Sequence, residues 1–251
     1  MTIKRINRGR GHSYTIDGRP ADGVTTLIGD GMPKPALINW AANTTAAYAV
    51  DHWDELHDKA PSARLDVLKK ARYAELDLAA KRGTEVHALS EQLSHGREVP
   101  VPDELAGHVE SAVKFLDQWN PKVILTETVV ASREWRYAGT FDLLAELPDG
   151  RTALLDYKTS RSGIFGETAL QLGAYAHADA WLDSDDVEHP MSELKIDCGM
   201  AVWIRADGYD VYEVDLNEGF KIFQHVAWVA RQSRGMKDRL IGEALTVPVA
   251  S

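Results

Sequence analysis

The segment that decides the fold is residues 139–159: Gly139-Thr140-Phe141-Asp142-Leu143-Leu144-Ala145-Glu146-Leu147-Pro148-Asp149-Gly150-Arg151-Thr152-Ala153-Leu154-Leu155-Asp156-Tyr157-Lys158-Thr159. Two apolar runs flank the turn at Pro148-Asp149-Gly150, which predicts a hairpin of central strands, 138–147 and 151–159. If Leu147 faces Arg151 across the three-residue loop, counting back along both strands sets Asp142 opposite Asp156. Side chains alternate along a strand, so Lys158 shares the face of Asp156 while Tyr157 points the other way. Two like charges placed opposite each other cost about 0.2–1 kcal/mol, and more when desolvated. A divalent cation is the natural compensation. Two readings stay open beside it: a solvated strand pair in which Lys158 neutralises Asp156, and a register shifted by one residue.

Outward from this hairpin, strand 123–131 precedes it. Before that strand, Leu105, Val109, Ala112, Leu116 and Trp119 mark a helix stopped by Pro121. Helices are expected over 36–59 and 62–81, separated at Pro61, and another is expected to start near Gly83 with Thr84 as its cap. Residues 12–28 read as an opening hairpin, with Tyr14-Thr15-Ile16, an Asp17-Gly18 turn and a β-branched strand over 24–28. Downstream the pattern predicts a helix over 167–182 and an acidic loop over 183–190. A second hairpin, 195–205 and 209–215, turns at Asp207-Gly208, and a last helix covers 217–235. The result is an α/β chain with a mixed central sheet flanked by helices, in the order αβββαββ. No repeat or linker divides it, so 1–251 reads as one domain. Within it, 1–80 is an N-terminal hairpin and helical elaboration, 81–235 the core and 236–251 a C-terminal tail.

Composition narrows the function classes. Hydrophobic residues make up 44% and charged residues 26% of 251, which excludes a disordered or low-complexity chain. The basic start is not followed by an apolar signal stretch and no membrane-length apolar run occurs, so a cytoplasmic protein without membrane contact is expected. The single cysteine, Cys198, excludes an internal disulfide and a Cys-ligated iron–sulfur cluster. A net charge of −10 excludes coating of nucleic acid by bulk electrostatics. Any such contact must be local, at Lys4, Arg5, Arg8 and Arg10, at Lys69, Lys70 and Arg72, at Lys81 and Arg82, or at Arg231, Arg234, Lys237 and Arg239. Each cluster taken alone reads as a solvated face.

Gly139-Thr140-Phe141-Asp142, the hairpin, Asp156-Tyr157-Lys158-Thr159, then Gln171-Leu172-Gly173-Ala174-Tyr175, preceded by Arg82-Gly83-Thr84-Glu85-Val86-His87, resemble the RecB-like branch of the PD-(D/E)XK nuclease superfamily. The likeness is to its phage-type exonucleases and covers roughly residues 80–215. It implies a restriction-endonuclease-like core with a helical N-terminal elaboration. It also implies a metal-dependent DNA exonuclease hydrolysing phosphodiester bonds in phage or bacterial DNA processing and recombination, placed in the host cytoplasm if phage-encoded. By position, Asp142, Asp156 and Lys158 are the catalytic set. His87, Asp142, Asp156 and the carbonyl of Tyr157 are the ligands of Mg²⁺ or Mn²⁺. Gln171 and Tyr175 are supporting residues, joined by Glu127, Glu91 and Thr159. DNA is the expected partner, at an end or a single-stranded segment, together with a recombination or replication protein. A structure-specific or restriction-like endonuclease on the same core and a non-catalytic DNA-binding or recombination-partner protein remain alternatives.

The residue chemistry runs parallel to the resemblance. Carboxylate and carbonyl oxygens suit Mg²⁺ or Mn²⁺, and one imidazole tilts the set toward tolerating Mn²⁺. A lysine beside the metal can position water and stabilise charge on phosphate oxygens. His87 and Glu91 lie one helical turn apart, as do Gln171 and Tyr175. Read without the resemblance, His87 is a satisfied or surface histidine, and the second pair serves equally well as the polar margin of a core helix. Glu127, on the strand before the hairpin, is a supporting or metal-proximal acid.

Overall fold

The computed structural model describes residues 2–8, 11–97 and 99–245. Arg10 and residues 246–251 of the C-terminal tail lie outside them. Three strands open the chain, β1 (Ile3–Arg8), β2 (Gly11–Ile16) and β3 (Arg19–Gly23), followed by helices α1 (Val24–Gly31), α2 (Pro35–Asp51), α3 (Trp53–His57), α4 (Pro61–Ser94) and α5 (Ala106–Trp119). Then come β4 (Lys122–Ser132), β5 (Tyr137–Glu146), β6 (Thr152–Lys158), α6 (Glu167–Ala176), β7 (Ala180–Leu182), β8 (Glu188–Pro190), β9 (Cys198–Arg205), β10 (Gly208–Val214), α7 (Leu216–Ser233) and α8 (Met236–Leu240). The architecture is α/β, a curled mixed sheet flanked by helices. No helix among the described residues is long and apolar enough to cross a membrane.

Strand β5 organises the sheet. Along one edge it pairs antiparallel with β4 over its whole length. Its other edge is shared: β3 runs parallel to it at Tyr137 and Ala138, and β6 pairs antiparallel from Leu143 to Glu146. Between these partners the sheet forks, and Gly139 to Asp142 have no neighbouring strand on that side among the described residues. Strand β6 continues into a parallel pairing with β9, which carries β10. Helices α1, α6 and α7 cover one face through Leu27, Leu170, Leu172 and Phe223, packed on Phe141, Leu144 and Leu154. The C-terminal part of α4 and all of α5 cover the other through Val86, Val109 and Phe115, packed on Leu143, Leu155 and Tyr157. Gly173 of α6 and Gly219 of α7 let those helices cross closely, because a Cβ on Gly173 would meet Leu216 O at 2.7 Å and one on Gly219 would overlap Ala169 O.

Several sequence expectations are corrected. Residues 24–28 are not a strand but the first turns of α1. Val24, Leu27 and Ile28 are buried at helical spacing, and that burial outweighs β-branched propensity. The opening hairpin is a three-stranded meander that includes β1. No helix begins at Gly83: α4 runs through it, and Thr84, instead of capping, donates its hydroxyl to Ala80 O at 3.1 Å. The helix expected over 36–59 is broken into α2 and α3 at His52. The helix expected to reach Leu182 ends at Ala176, because Ala180 and Trp181 pair with Ala131 and Val130 as the short strand β7, which in turn carries β8 at the sheet edge. In the second hairpin the turn residues are Ala206 and Asp207, with Gly208 already paired to Arg205.

Candidate active site

The hairpin register is the one the turn dictates. Leu147 donates its N–H to Arg151 O at 2.8 Å, and Ala145–Ala153, Leu144–Leu154 and Leu143–Leu155 follow. One step further stand Asp142 and Asp156, where the fork opens. In place of a ladder bond, the Tyr157 N–H donates to Asp142 Oδ2 at 2.8 Å. That carboxylate is therefore held by the backbone of the strand that carries Asp156 and Lys158.

Each acid has its own basic partner. His87 Nδ1, on α4, lies 3.2 Å from Asp142 Oδ2. Lys158 Nζ lies 2.5 Å from Asp156 Oδ2, yet that buried oxygen has no aligned hydrogen bond. The other oxygen, Oδ1, accepts from Gln171 Nε2 at 2.9 Å, and Gln171 Oε1 accepts from Lys158 Nζ at 3.2 Å. Gln171 Nε2 also reaches Tyr175 OH at 3.3 Å. The amide of Gln171 thus bridges Asp156, Lys158 and Tyr175 from α6. Tyr175 can approach β5 because residue 139 is glycine: a Cβ there would overlap Tyr175 Cε1. The expected constellation Asp142, Asp156, Lys158, His87, Gln171 and Tyr175 is accordingly assembled around one fork in the sheet.

Burial and charge pull the carboxyls apart. Asp156, with its side chain 2% exposed, is pushed by burial to about 6, Asp142 adding to the rise and Lys158 opposing it. Burial would raise Asp142 as well, but the neighbouring His87, then Lys158 and the Tyr157 N–H, hold it below the ordinary value. His87 is raised: the adjacent Asp142 outweighs the effect of burial. Two carboxyls side by side with values driven in opposite directions are the arrangement that assigns different proton tasks to chemically equal groups.

Glu127 completes the acidic set. It lies between Thr126, paired with Leu143, and Thr128, paired with Phe141, and so faces Asp142 across the ladder. Its φ of 44° is a left-handed conformation in mid-strand, uncommon for a residue with a side chain and characteristic of functional sites. Tyr137 and Phe141 pack in the same cluster as Leu144, so the alternation of β5 changes phase opposite this residue. Although Glu127 is exposed at the cleft, the surrounding protein, then Asp142 and Glu91, push its carboxyl up to about 7. Glu91 lines the same cleft one turn beyond His87 and stands 3.5 Å from Thr126 Oγ1.

The remaining expected residues fall near this centre with different surroundings. The Tyr157 ring points away, buried against His87 and Phe115 with its hydroxyl unpaired. Thr159 lies just past the end of β6 beside Gly83 of α4, where a Cβ would make only ordinary contact with its Oγ1, at 3.4 Å. The open cleft above the fork has a volume of about 820 Å³ and is walled by α4 on one side and by β1 and β2 on the other. Sequence reading passed over that second wall: Tyr14 OH bonds Thr140 Oγ1 at 2.9 Å, and Arg5 reaches the same hydroxyl at 3.5 Å. The signal was Thr140 inside the motif, a polar residue next to a fully buried Phe141. Two of the four basic residues clustered near the C-terminus are neutralised: Arg231 and Arg234 hold Asp22, and Arg234 also holds Asp30.

As the side chains lie, no group of three or more His, Cys, Asp and Glu among the described residues forms a metal cage. The donors are engaged pairwise with Lys158 and His87. No family model matches the chain. No curated protein matches it. Among solved structures, that of SSO0001 is similar over 89% of this chain and 79% of that one, at 15% identity and a TM-score of 0.35, a likeness that bears on neither fold nor function.

Proposed function

We propose that the chain is a deoxyribonuclease built on a restriction-endonuclease-like core, hydrolysing phosphodiester bonds with Mg²⁺ or Mn²⁺ and working from DNA ends. The observation that carries this reading is the juxtaposition of Asp142 and Asp156 at the fork, with Lys158 on one and His87 on the other. A fold needs no such pair. Asp156, buried and pushed up to about 6, is held ionised at a cost in stability, which points to a task.

The donor set fits a hard divalent cation in type and in charge: two carboxylates, one with a buried oxygen lacking an aligned hydrogen bond, and an imidazole. Asp142, Asp156, His87 and the Tyr157 carbonyl would hold it, with Lys158 moving off Asp156 and a neutral His87 giving up its hydrogen bond to Asp142. Bound there, the ion would acidify a water and neutralise charge building on the phosphate. Lys158, once released from Asp156 and still tethered by Gln171, presents N–H donors to phosphate oxygens or to the attacking water. Glu127, titrating near neutrality beside Asp142, can accept or return a proton at the cleft mouth. The wall of β1 and β2 opposite α4 favours entry of a strand end over clamping of a continuous duplex. The test is cleavage of linear DNA in Mg²⁺, Mn²⁺ and EDTA. Divalent-dependent release of nucleotides from ends supports the reading, and inactivity of the pure protein with both ions refutes it.

A further inference from the structure

On the side of α4 facing away from the cleft lies a second concavity, about 610 Å³, between α4, the start of α5 and the segment that follows β6. Its lining is basic where the cleft is acidic: Lys81, Arg82 and Arg161 line it, with His108 and Ser160 beside them. Lys81 is partnered by Glu85 at 3.7 Å. Arg82 and Arg161 have no hydrogen bond or ion pair with any described residue. Glu104 also reaches the rim, and Arg205 is neutralised by Asp210 and Asp207. His108 has a buried Nδ1 without a partner, and burial together with Arg82 lowers its value.

Position gives these two arginines meaning. The backbone that presents Arg161 is pinned, because Trp203 Nε1 donates to Ser160 O at 2.7 Å. Arg161 follows Lys158 by three residues, at most about 10 Å of chain. Arg82 precedes His87 on the same helix by five residues, about 7.5 Å along its axis. The basic groove is therefore built on the same two segments that carry Lys158 and His87, in a chain whose net charge of −10 gives a polyanion little general attraction.

We infer that this groove binds a phosphodiester group of a nucleic-acid strand through Arg82 and Arg161, next to the group held at Asp142 and Asp156. The identity of the ligand rests on the nuclease reading, so its test reads binding without metal and without cleavage. A labelled short single-stranded oligonucleotide is titrated with the full chain in EDTA, and anisotropy is followed across a salt series for the wild type, R82A/R161A and R82K/R161K. The alanine variant should bind about tenfold more weakly at low salt, and its slope of log K against log salt should fall by about 0.7 for each lost contact. The lysine variant should keep the slope, showing that the loss is of charge rather than of fold. Unchanged affinity and slope in the alanine variant overturn the inference. So does calorimetric binding of inorganic phosphate that vanishes in that variant while oligonucleotide binding stands. Arginine-dependent oligonucleotide binding by a protein that cleaves nothing keeps the groove and refutes the nuclease reading instead.

Discussion

Replacing Asp156 by asparagine should stabilise the metal-free protein. In the fold its carboxyl is pushed from 3.8 to about 6, chiefly by burial, with the side chain 2% exposed. At about 1.4 kcal/mol per pH unit, that difference corresponds to about 3 kcal/mol. The folded value lies above the unfolded one, so this group's contribution to stability is fully present below about pH 4 and is lost as pH rises through about 6. His87, also raised, adds a loss of the same sign as pH rises further, whereas Asp142, lowered, contributes stability that is lost as pH falls below 4. Both groups are common to the two proteins, and losing the Asp156 charge acts on them by weakening the rise of His87. Asparagine resembles the protonated acid and keeps an oxygen for Gln171 Nε2. Lys158 is 28% exposed and can turn to water. Thermal melts in EDTA should therefore show little difference at pH 4 and a gain of about 6–10 °C for the variant at pH 8, as expected for about 3 kcal/mol in a chain of this size. Added Mn²⁺ should raise the melting temperature of the wild type and leave the variant where it is. A variant that melts at or below the wild type at pH 8 in EDTA, with the same gap at pH 4, would refute the claim that an ionised Asp156 is held at a cost in stability.

Other perturbations separate the roles at the fork. Gly139→Ala puts a Cβ into the Tyr175 ring and should destabilise the fold by about 1–3 kcal/mol, read by denaturant titration, while displacing Gln171 from Asp156. Lys158→Ala should lower single-turnover cleavage by several orders of magnitude and leave calorimetric Mn²⁺ affinity in place. Equal loss of both would make Lys158 a structural partner of Asp156. His87→Ala should shift the metal titration of activity to higher concentration, more for Mn²⁺ than for Mg²⁺, since imidazole favours the softer ion. Superimposable titrations would leave His87 as a packing residue.

How much of this was legible in the sequence differs by element. The hairpin register counted from the turn agrees with the structure, where Leu147 and Arg151 close the loop; sequence alone left a shift by one residue open. The α5 stripe was equally plain, although the most buried member, Phe115, stood between the named positions. Residues 24–28 misled because β-branching spoke louder than the 24, 27, 28 spacing. Gly83 misled because a glycine in a helix reads as a boundary, whereas α4 runs through it without a break. The fork itself was not readable: it arises because β3, far away in sequence, takes one end of the β5 edge and β6 the other. The left-handed Glu127 follows no local rule either, since no glycine or asparagine marks it. The neutralised arginines at 231 and 234 depend on Asp22 and Asp30, partners some two hundred residues away.

The most direct test of the central claim is an end-labelled linear DNA and a covalently closed circle of the same sequence, each incubated with wild type and with Asp142→Asn in Mg²⁺, Mn²⁺ and EDTA. Asp142 is the acid that His87 and the Tyr157 N–H both hold in place. Loss of its charge should abolish the reaction without unfolding the chain. The account predicts divalent-dependent degradation of the linear substrate by the wild type, little nicking of the circle, and none of either by the variant. Cleavage by Asp142→Asn at the wild-type rate, or wild-type cleavage that persists in EDTA, would contradict it.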